Sequence, residues 1–443
     1  MARSTERSRW HRFLWLWAAE MLSITGTGLT AFALGAWVYA RTHSATDFAM
    51  LSVAAILPGV LLLPVGGVLA DVLPRKRVMV WCNAIAGVCA VALGVLLYRE
   101  QLSLPVLYTL LAISAFCRAL QWVTFTATMT QMVPASQMGR TSAMIYVGEA
   151  GQQLVAPALA ALALPWIGYV GVIGMDTSTF LFALIVLAAL PIPSAPERAS
   201  SDSHWWGVIL SGWRFIRERS GLLMLQVFFA LSQFLGGFLP ILTLPALMEL
   251  TRSEKTTGIT MGIAGAGLLV GMGVLVARPV KRRRVHATLL FDALASMALV
   301  VLAIGAARFG APWVACFGFI FLFFHAMESG VSQDLWQRKV PGELQGRVFA
   351  IRRTISWSLV PLCYALAGPI VDDWFTPMMR RGGAWHGSLS PLFGEAKLGA
   401  ILLLMAVSGL LRGAVLVPLA TRIEALMKIE EQLPDHIAGA EAH

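Results

Sequence analysis

Apolar stretches of about 20 residues, separated by short polar breaks, repeat from one end of the chain to the other. Twelve can be drawn, at 13–38, 48–70, 78–98, 104–128, 142–165, 168–191, 221–247, 257–278, 286–306, 312–335, 348–371 and 396–419. As a helix rising about 1.5 Å per residue, each is long enough to cross a hydrocarbon core about 30 Å thick. Backbone groups in lipid must find partners within their own segment, so the pattern predicts helices. The basic N-terminus followed by an apolar run is also the layout of a secretory signal. This run is too long for a signal core and contains Glu20, so it is read as a retained first span.

The polar breaks carry a second regularity. Gly67, Leu69, Arg75, Lys76 and Arg77 are echoed 206 residues later by Gly273, Leu275, Lys281, Arg282 and Arg283. Val133-Pro134, Gly139-Arg140 and Ala143 recur at an offset of 207 as Val340-Pro341, Gly346-Arg347 and Ala350. Two loops repeating at offsets that differ by a single residue imply a duplication, the usual architecture of a secondary transporter. The expected fold is therefore an all-α membrane protein with twelve transmembrane helices in two pseudo-symmetric six-helix bundles. Residues 1–192 form the first bundle, 193–220 a linker, 221–420 the second bundle and 421–443 a tail. Within the linker, Trp206, Ile209, Leu210, Trp213 and Ile216 fall at helical spacing opposite Arg214, Arg217 and Arg219, the pattern of an amphipathic helix lying at an interface. A second long break, Asp372–Glu395, holds Trp374, Phe375, Trp385, Arg380 and Arg381. It reads either as a cap on an exit pathway or partner site, or as an aromatic-anchored loop.

Composition agrees with a membrane protein: 57% of residues are hydrophobic and 13% charged, against about 25% charged in soluble domains. The net charge of +10 suits nucleic-acid binding in isolation, but its distribution argues against that role. With twelve spans both termini share a side. Counting the ends of the spans with the loops they adjoin, that side holds 24 Lys and Arg against 8 on the other, with Arg118 and Arg412 deeper inside spans. The asymmetry places both termini in the cytoplasm, and the basic excess is topological. The five cysteines all lie in apolar spans, with no C-x-x-C pair or histidine cluster to suggest a metal or a disulfide framework. There is no G-x-x-x-x-G-K-[ST] phosphate loop, so ATP is not the expected energy source; no enzyme signature and no cofactor are indicated. The glycines at 262, 265, 267, 271 and 273 lie in an apolar helix and predict close helix packing rather than nucleotide binding.

The hairpin reading G-x-L-A-D-x-x-x-R-K-R from Gly67 to Arg77, the twelve spans and the repeat together resemble the major facilitator superfamily. The resemblance covers nearly the whole chain. Pro74 stands where that family usually has Gly, and Val72 where Arg is frequent. Arg118-Ala119-Leu120-Gln121-Trp122 keeps the Arg and Gln of the family's helix-4 R-x-x-Q-G signature. Ala156-Pro157-Ala158-Leu159-Ala160-Ala161 keeps only the Pro and small residues of the antiporter helix-5 signature. Trp336 to Phe349 resembles the corresponding loop of exporters related to the enterobactin exporter and the macrolide efflux permeases. The resemblance implies a bacterial inner-membrane carrier, monomeric, exporting an amphipathic small molecule such as a siderophore or drug by proton-driven alternating access. It also implies that Asp71, with Gly67, Arg75 and Arg77, acts as a conformational latch. Ala277 aligns with Asp71, so the latch is expected in the first half only.

Ionisable residues within a membrane are costly and are usually functional or paired. Glu20 heads a polar stripe with Ser23, Thr27 and Thr30. Arg118 shares a face with Ser114, Gln121 and Thr128; Glu149 precedes Gln152 and Gln153; and His325 and Glu328 share a face with Ser329 and Ser332. The resemblance implies that helices 1, 4, 7 and 10 line the cavity, which makes Ser23, Thr27, Gln121, Gln226, Gln233 and Ser332 candidates for substrate contact. Glu20 or Glu149 near Arg118 is the first proton-coupling candidate, and His325 with Glu328 the second. Burial favours the protonated carboxyl and a nearby guanidinium the charged one, so a change of either during the cycle moves a proton. The alternative for Glu20, Glu149 and Arg118 is a fixed ion pair locking helices 1, 4 and 5. Asp176 and Asp292 are expected to serve helix–helix hydrogen bonds. A lysophospholipid flippase of the same fold and a non-transporting sensor or assembly partner are the rival functions.

Overall fold

A computed structural model describes residues 2–133, 138–191 and 212–435. Helices dominate: α1 Ala2–Thr42, α2 Ala45–Val72, α3 Arg75–Tyr98, α4 Leu104–Met132, α5 Met138–Ala189, α6 Ser220–Gly236, α7 Phe238–Thr251, α8 Glu254–Ala277, α9 Arg284–Phe309, α10 Ala311–Lys339 and α11 Gly342–Pro369. Short α12 (Thr376–Met379) and α13 (His386–Phe393) precede α14 (Ala396–Leu410) and α15 (Val417–Thr421), and α16 (Glu424–Met427) and α17 (Ile429–Gln432) end the described chain. No strand forms among the described residues.

Eleven of these helical stretches are long and apolar enough to cross a membrane. One of them is two helices. α5 has 52 residues, about 78 Å at helical rise, more than twice the hydrocarbon core. Gly168 breaks it with φ 64° and ψ −178°, a conformation that glycine adopts without steric cost. The twelve-helix architecture is thereby complete, with α6 and α7 forming one span across Gly237. Two π-helical turns interrupt the last spans, Ile370–Phe375 after α11 and Leu411–Leu416 after α14.

The chain forms two compact units. One takes in Met1–His43, Met50–Ser201 and Ser253–Gly262; the other takes in Ser44–Ala49, Asp202–Arg252 and Ile263–His443. Apolar clusters hold the first, among them Phe13, Leu16, Met79, Phe125 and Leu187 at one end of its helices and Leu34, Leu93, Leu107 and Ile173 at the other. The second has a core of Leu225, Phe229, Leu289, Leu335 and Trp336, joined by Leu426 and Ile429 from the tail. Phe215 and Ile216, in the short helical stretch 212–217 of the linker, are buried in that same core, while the earlier linker residues 193–211 lie outside the described residues.

The glycine-rich stretch of α8 packs on α10 as its composition predicts. A Cβ at Gly267 would lie 2.1 Å from the Phe319 carbonyl oxygen, and one at Gly271 2.4 Å from that of Phe323. Backbone atoms cannot yield as a side-chain tip does. Gly267→Leu is therefore expected to lower stability by about 1–3 kcal/mol, read as a fall in unfolding temperature in micelles.

The tail is strapped to the second unit by charge as well as by apolar packing. Lys339, buried at the end of α10, donates to the carbonyls of Glu430 and Leu433 and pairs with Asp435 at 2.9 Å. Arg284 bridges Asp334 at 2.6 Å and Glu430 at 3.5 Å. Partial burial acts to raise the Asp435 pKa, but Lys339, with Arg338 and Arg284, outweighs it and holds the carboxyl below its ordinary value. A lowered folded pKa gives stability that is present above the ordinary carboxylate range and lost as pH falls through the lowered value. A spin label at Gln432 is expected to be more mobile in Asp435→Asn than in wild type at neutral pH, with the difference closing as acid protonates Asp435.

Candidate functional site

In the first unit, Glu20 on α1 is buried, and its Oε2 accepts from the Gln121 amide of α4 at 2.9 Å. Gln121 Oε1 is left without a partner. Among the described residues no ion pair joins Glu20 to Arg118. Among the described residues, the charged neighbour of Arg118 is Asp176 on the second helix of α5, and Arg118 Nε is buried without a hydrogen bond. Asp176 is buried against α1, where a Cβ on Gly26 would lie 2.9 Å from its Oδ1. Ser23 is buried, and Thr27 donates to the Ser23 carbonyl at 3.1 Å, as threonines inside helices commonly do. Two carboxylates and one guanidinium thus lie on α1, α4 and α5. The side chains of Glu149, Gly67 and Asp71 lie outside the described residues, as does that of Gln153. Arg75 is buried at the start of α3, and Arg77 is exposed.

The second unit carries a tighter set. Arg412 lies in the π-helical turn after α14 and is 0% exposed. Its Nε donates to Ser232 Oγ of α6 and to Asp292 Oδ1 of α9, both at 2.8 Å. Its Nη2 donates to the same Asp292 oxygen and to Glu328 Oε2 of α10 at 3.0 Å. Ser232 also donates to Asp292 Oδ1, at 2.7 Å. Asp292 is 0% and Glu328 1% exposed, so both carboxylates are out of reach of solvent. His325 Nδ1 faces Glu328 Oε2 at 3.2 Å, the contact predicted from their i, i+3 spacing. Ser329, expected on the same face, is exposed, because α10 turns the row 325–329 away from the row 328–332.

Gln226 and Ser332 join a polar patch one turn further along. The Gln226 amide donates to the Arg352 carbonyl and to Ser356 Oγ, and Arg352 donates to Gln333 and Ser332 while lying 5.1 Å from the Trp336 ring centroid. Gln233 is half-buried on α6. The residues that sequence reasoning left without a role are Arg412 and Arg352, and Asp292 was expected only as a hydrogen-bonding partner. The signal for Arg412 and Asp292 was present, since each is a lone ionisable residue in an apolar run. Their pairing was not legible, because 120 residues separate them.

Asp372, at the start of the second long break, accepts from Thr46 N and Thr46 Oγ1 at 2.8 Å and from Ser44 Oγ at 3.1 Å, and pairs with Lys397 at 2.8 Å. It satisfies backbone and side-chain donors at the start of α2, as a carboxylate at a helix N-terminus does.

Comparison with known proteins places these features. Macrolide efflux protein A of Streptococcus pyogenes is 24% identical over 372 residues, covering 82% of this chain and 89% of its own. The multidrug efflux pump Tap of Mycolicibacterium fortuitum is 24% identical over 377 residues, covering 80% and 88%. A solved bacterial homologue of the human lysosomal transporter Spinster shares the fold with a TM-score of 0.73 at 14% identity, over 95% of this chain and 98% of its own. The family model for the Major Facilitator Superfamily matches residues 16–365, so this multi-pass membrane protein belongs to that superfamily of transporters, with efflux proteins among its relatives.

Proposed function

We propose that this chain is a proton-coupled exporter of amphipathic small molecules, macrolide-like compounds first among them, working by alternating access in a bacterial inner membrane. The observation that carries the reading is Glu20: a carboxylate buried in the first span, held by the Gln121 amide and by no cation among the described residues. A buried carboxylate without a charge partner is costly when ionised, so its proton occupancy follows its solvation, and solvation is what an alternating carrier changes. Arg118 and Asp176 lie near each other on the neighbouring helices of the same half. The names of the efflux relatives support the direction and the class of cargo. The 24-to-8 excess of Lys and Arg supports cytoplasmic termini.

The test is accumulation of radiolabelled erythromycin in proteoliposomes containing only this protein, under an imposed proton gradient. Accumulation that collapses with a protonophore is the expected result. Gradient-independent redistribution of a fluorescent lysophospholipid, with no macrolide movement, would replace this reading with a flippase.

A further inference from the structure

Away from the buried charges, the first unit contains a cavity of about 380 Å³. It lies at the ends of α1 and α3 remote from the N-terminus, beside the break in α5. Leu97 and Leu102 are buried and give it an apolar floor, and Trp37 of α1 is a half-buried wall. Gly168 also lines it, at the point where the chain turns with φ 64°, and a Cβ there would meet no atom within 4 Å. The space beside the break is therefore open. The next residue, Tyr169, is fixed on the same wall by donating its hydroxyl to Glu254.

Two full charges of opposite sign share this space. Arg41 and Glu100 both line the cavity, and both are exposed at its mouth. Among the described residues they form no ion pair with each other or with a third group. The Arg41 guanidinium lies 5.5 Å from the Trp37 ring centroid, an aromatic support that steadies the charge and leaves its N–H groups available. Glu100 sits just past the end of α3 with φ 56°, and its N–H donates to the Leu97 carbonyl at 3.1 Å, so the carboxylate is presented from a fixed backbone. A guanidinium and a carboxylate that line one cavity without meeting match a zwitterion, an anion for Arg41 and a cation for Glu100.

The depth of the cavity says which zwitterion. Tyr98 and Trp166, next in sequence to the lining residues Leu97 and Ile167, are 78% and 88% exposed. Exposed Tyr and Trp at the ends of spans mark the headgroup level of a bilayer. Along α3, Val88, Val91 and Val95 form an exposed apolar row that leads up to Tyr98. We propose that the cavity is a phospholipid site for a headgroup carrying both a phosphate and a primary ammonium, with the phosphate on Arg41, the ammonium on Glu100 and an acyl chain along the valine row. Arginine suits the phosphate because its planar fork donates parallel hydrogen bonds. An anionic headgroup without the ammonium satisfies Arg41 but brings a like charge to Glu100, so the site discriminates between them. The site does not depend on proton coupling. Only its assignment to the outer leaflet rests on the cytoplasmic termini of the reading above.

The experiment is native mass spectrometry of the full chain released from micelles, titrated separately with phosphatidylethanolamine and phosphatidylglycerol of equal chain length. Phosphatidylethanolamine is expected to bind on the order of tenfold more tightly, the worth of one charge-assisted hydrogen bond. Glu100→Gln is expected to abolish that preference, and Arg41→Ala to weaken both lipids. Both side chains are exposed, so neither substitution threatens the fold. Equal retention of the two lipids, unchanged in both variants, would overturn the site and leave only lipid held around the protein without selection. Free phosphoethanolamine is the third arm and is expected not to compete, because it lacks the acyl chains. Competition by it at the lipid's own concentration would overturn the lipid assignment in favour of a soluble zwitterion. Transport does not enter the readout, so failure here leaves the exporter reading standing, and failure of macrolide transport leaves the lipid preference to be decided by its own titration.

Discussion

Arg412→Ala lowers the stability of the protein by about 3–5 kcal/mol. The expectation follows from what the truncation leaves behind. Asp292 and Glu328 would face each other in the interior with no cation, and Ser232 would lose an incoming donor. Coulomb repulsion and desolvation then act together at a site where water does not reach. Unfolding in mixed micelles checks the magnitude. Replacing the whole charged set, with Arg412→Met, Asp292→Leu and Glu328→Met together, is expected to recover most of the loss, because apolar side chains of similar size need no compensation in a membrane interior. If the triple variant recovers stability, the charged set is not what holds the bundle together. An Arg412→Ala protein as stable as wild type would mean that the acids are already neutral and that the guanidinium does not compensate them.

Glu20→Gln has the larger functional effect. It preserves the shape of the side chain and can still hydrogen-bond to Gln121, so folding and expression are expected to be close to wild type. It cannot bind and release a proton. Accumulation of erythromycin driven by a proton gradient is expected to fall on the order of tenfold or more. Exchange of labelled for unlabelled erythromycin at equal concentrations, which needs no net proton movement, is expected to persist. That split separates a coupling residue from a structural one, since a merely structural role would lose both activities together.

Much of the architecture was legible because lipid imposes it. Runs of about 20 apolar residues can only be helices there, and the polar breaks mark their ends. The spacing also carried the His325–Glu328 contact, since residues three apart on a helix are neighbours. Contacts between spans were not legible. Glu20 and Gln121 are 101 residues apart, and Arg412 and Glu328 are 84 apart. No local pattern says which faces of two all-apolar helices will meet. The resemblance implied cavity-lining helices 1, 4, 7 and 10 and drew attention away from spans 9 and 12, which bring Asp292 and Arg412 to Glu328. The π-helical turn at Leu411–Leu416 left no mark either, because its leucines, alanine and valine read as the continuation of an apolar span.

The central claim is that proton movement and export of an amphipathic compound are one process in this protein alone. A pH-sensitive dye trapped in proteoliposomes, with the membrane voltage clamped and no initial pH gradient, measures it directly. Adding erythromycin to one side is predicted to drive protons the opposite way in wild type and not in Glu20→Gln. An interior pH that stays flat while labelled erythromycin crosses the membrane would contradict the account.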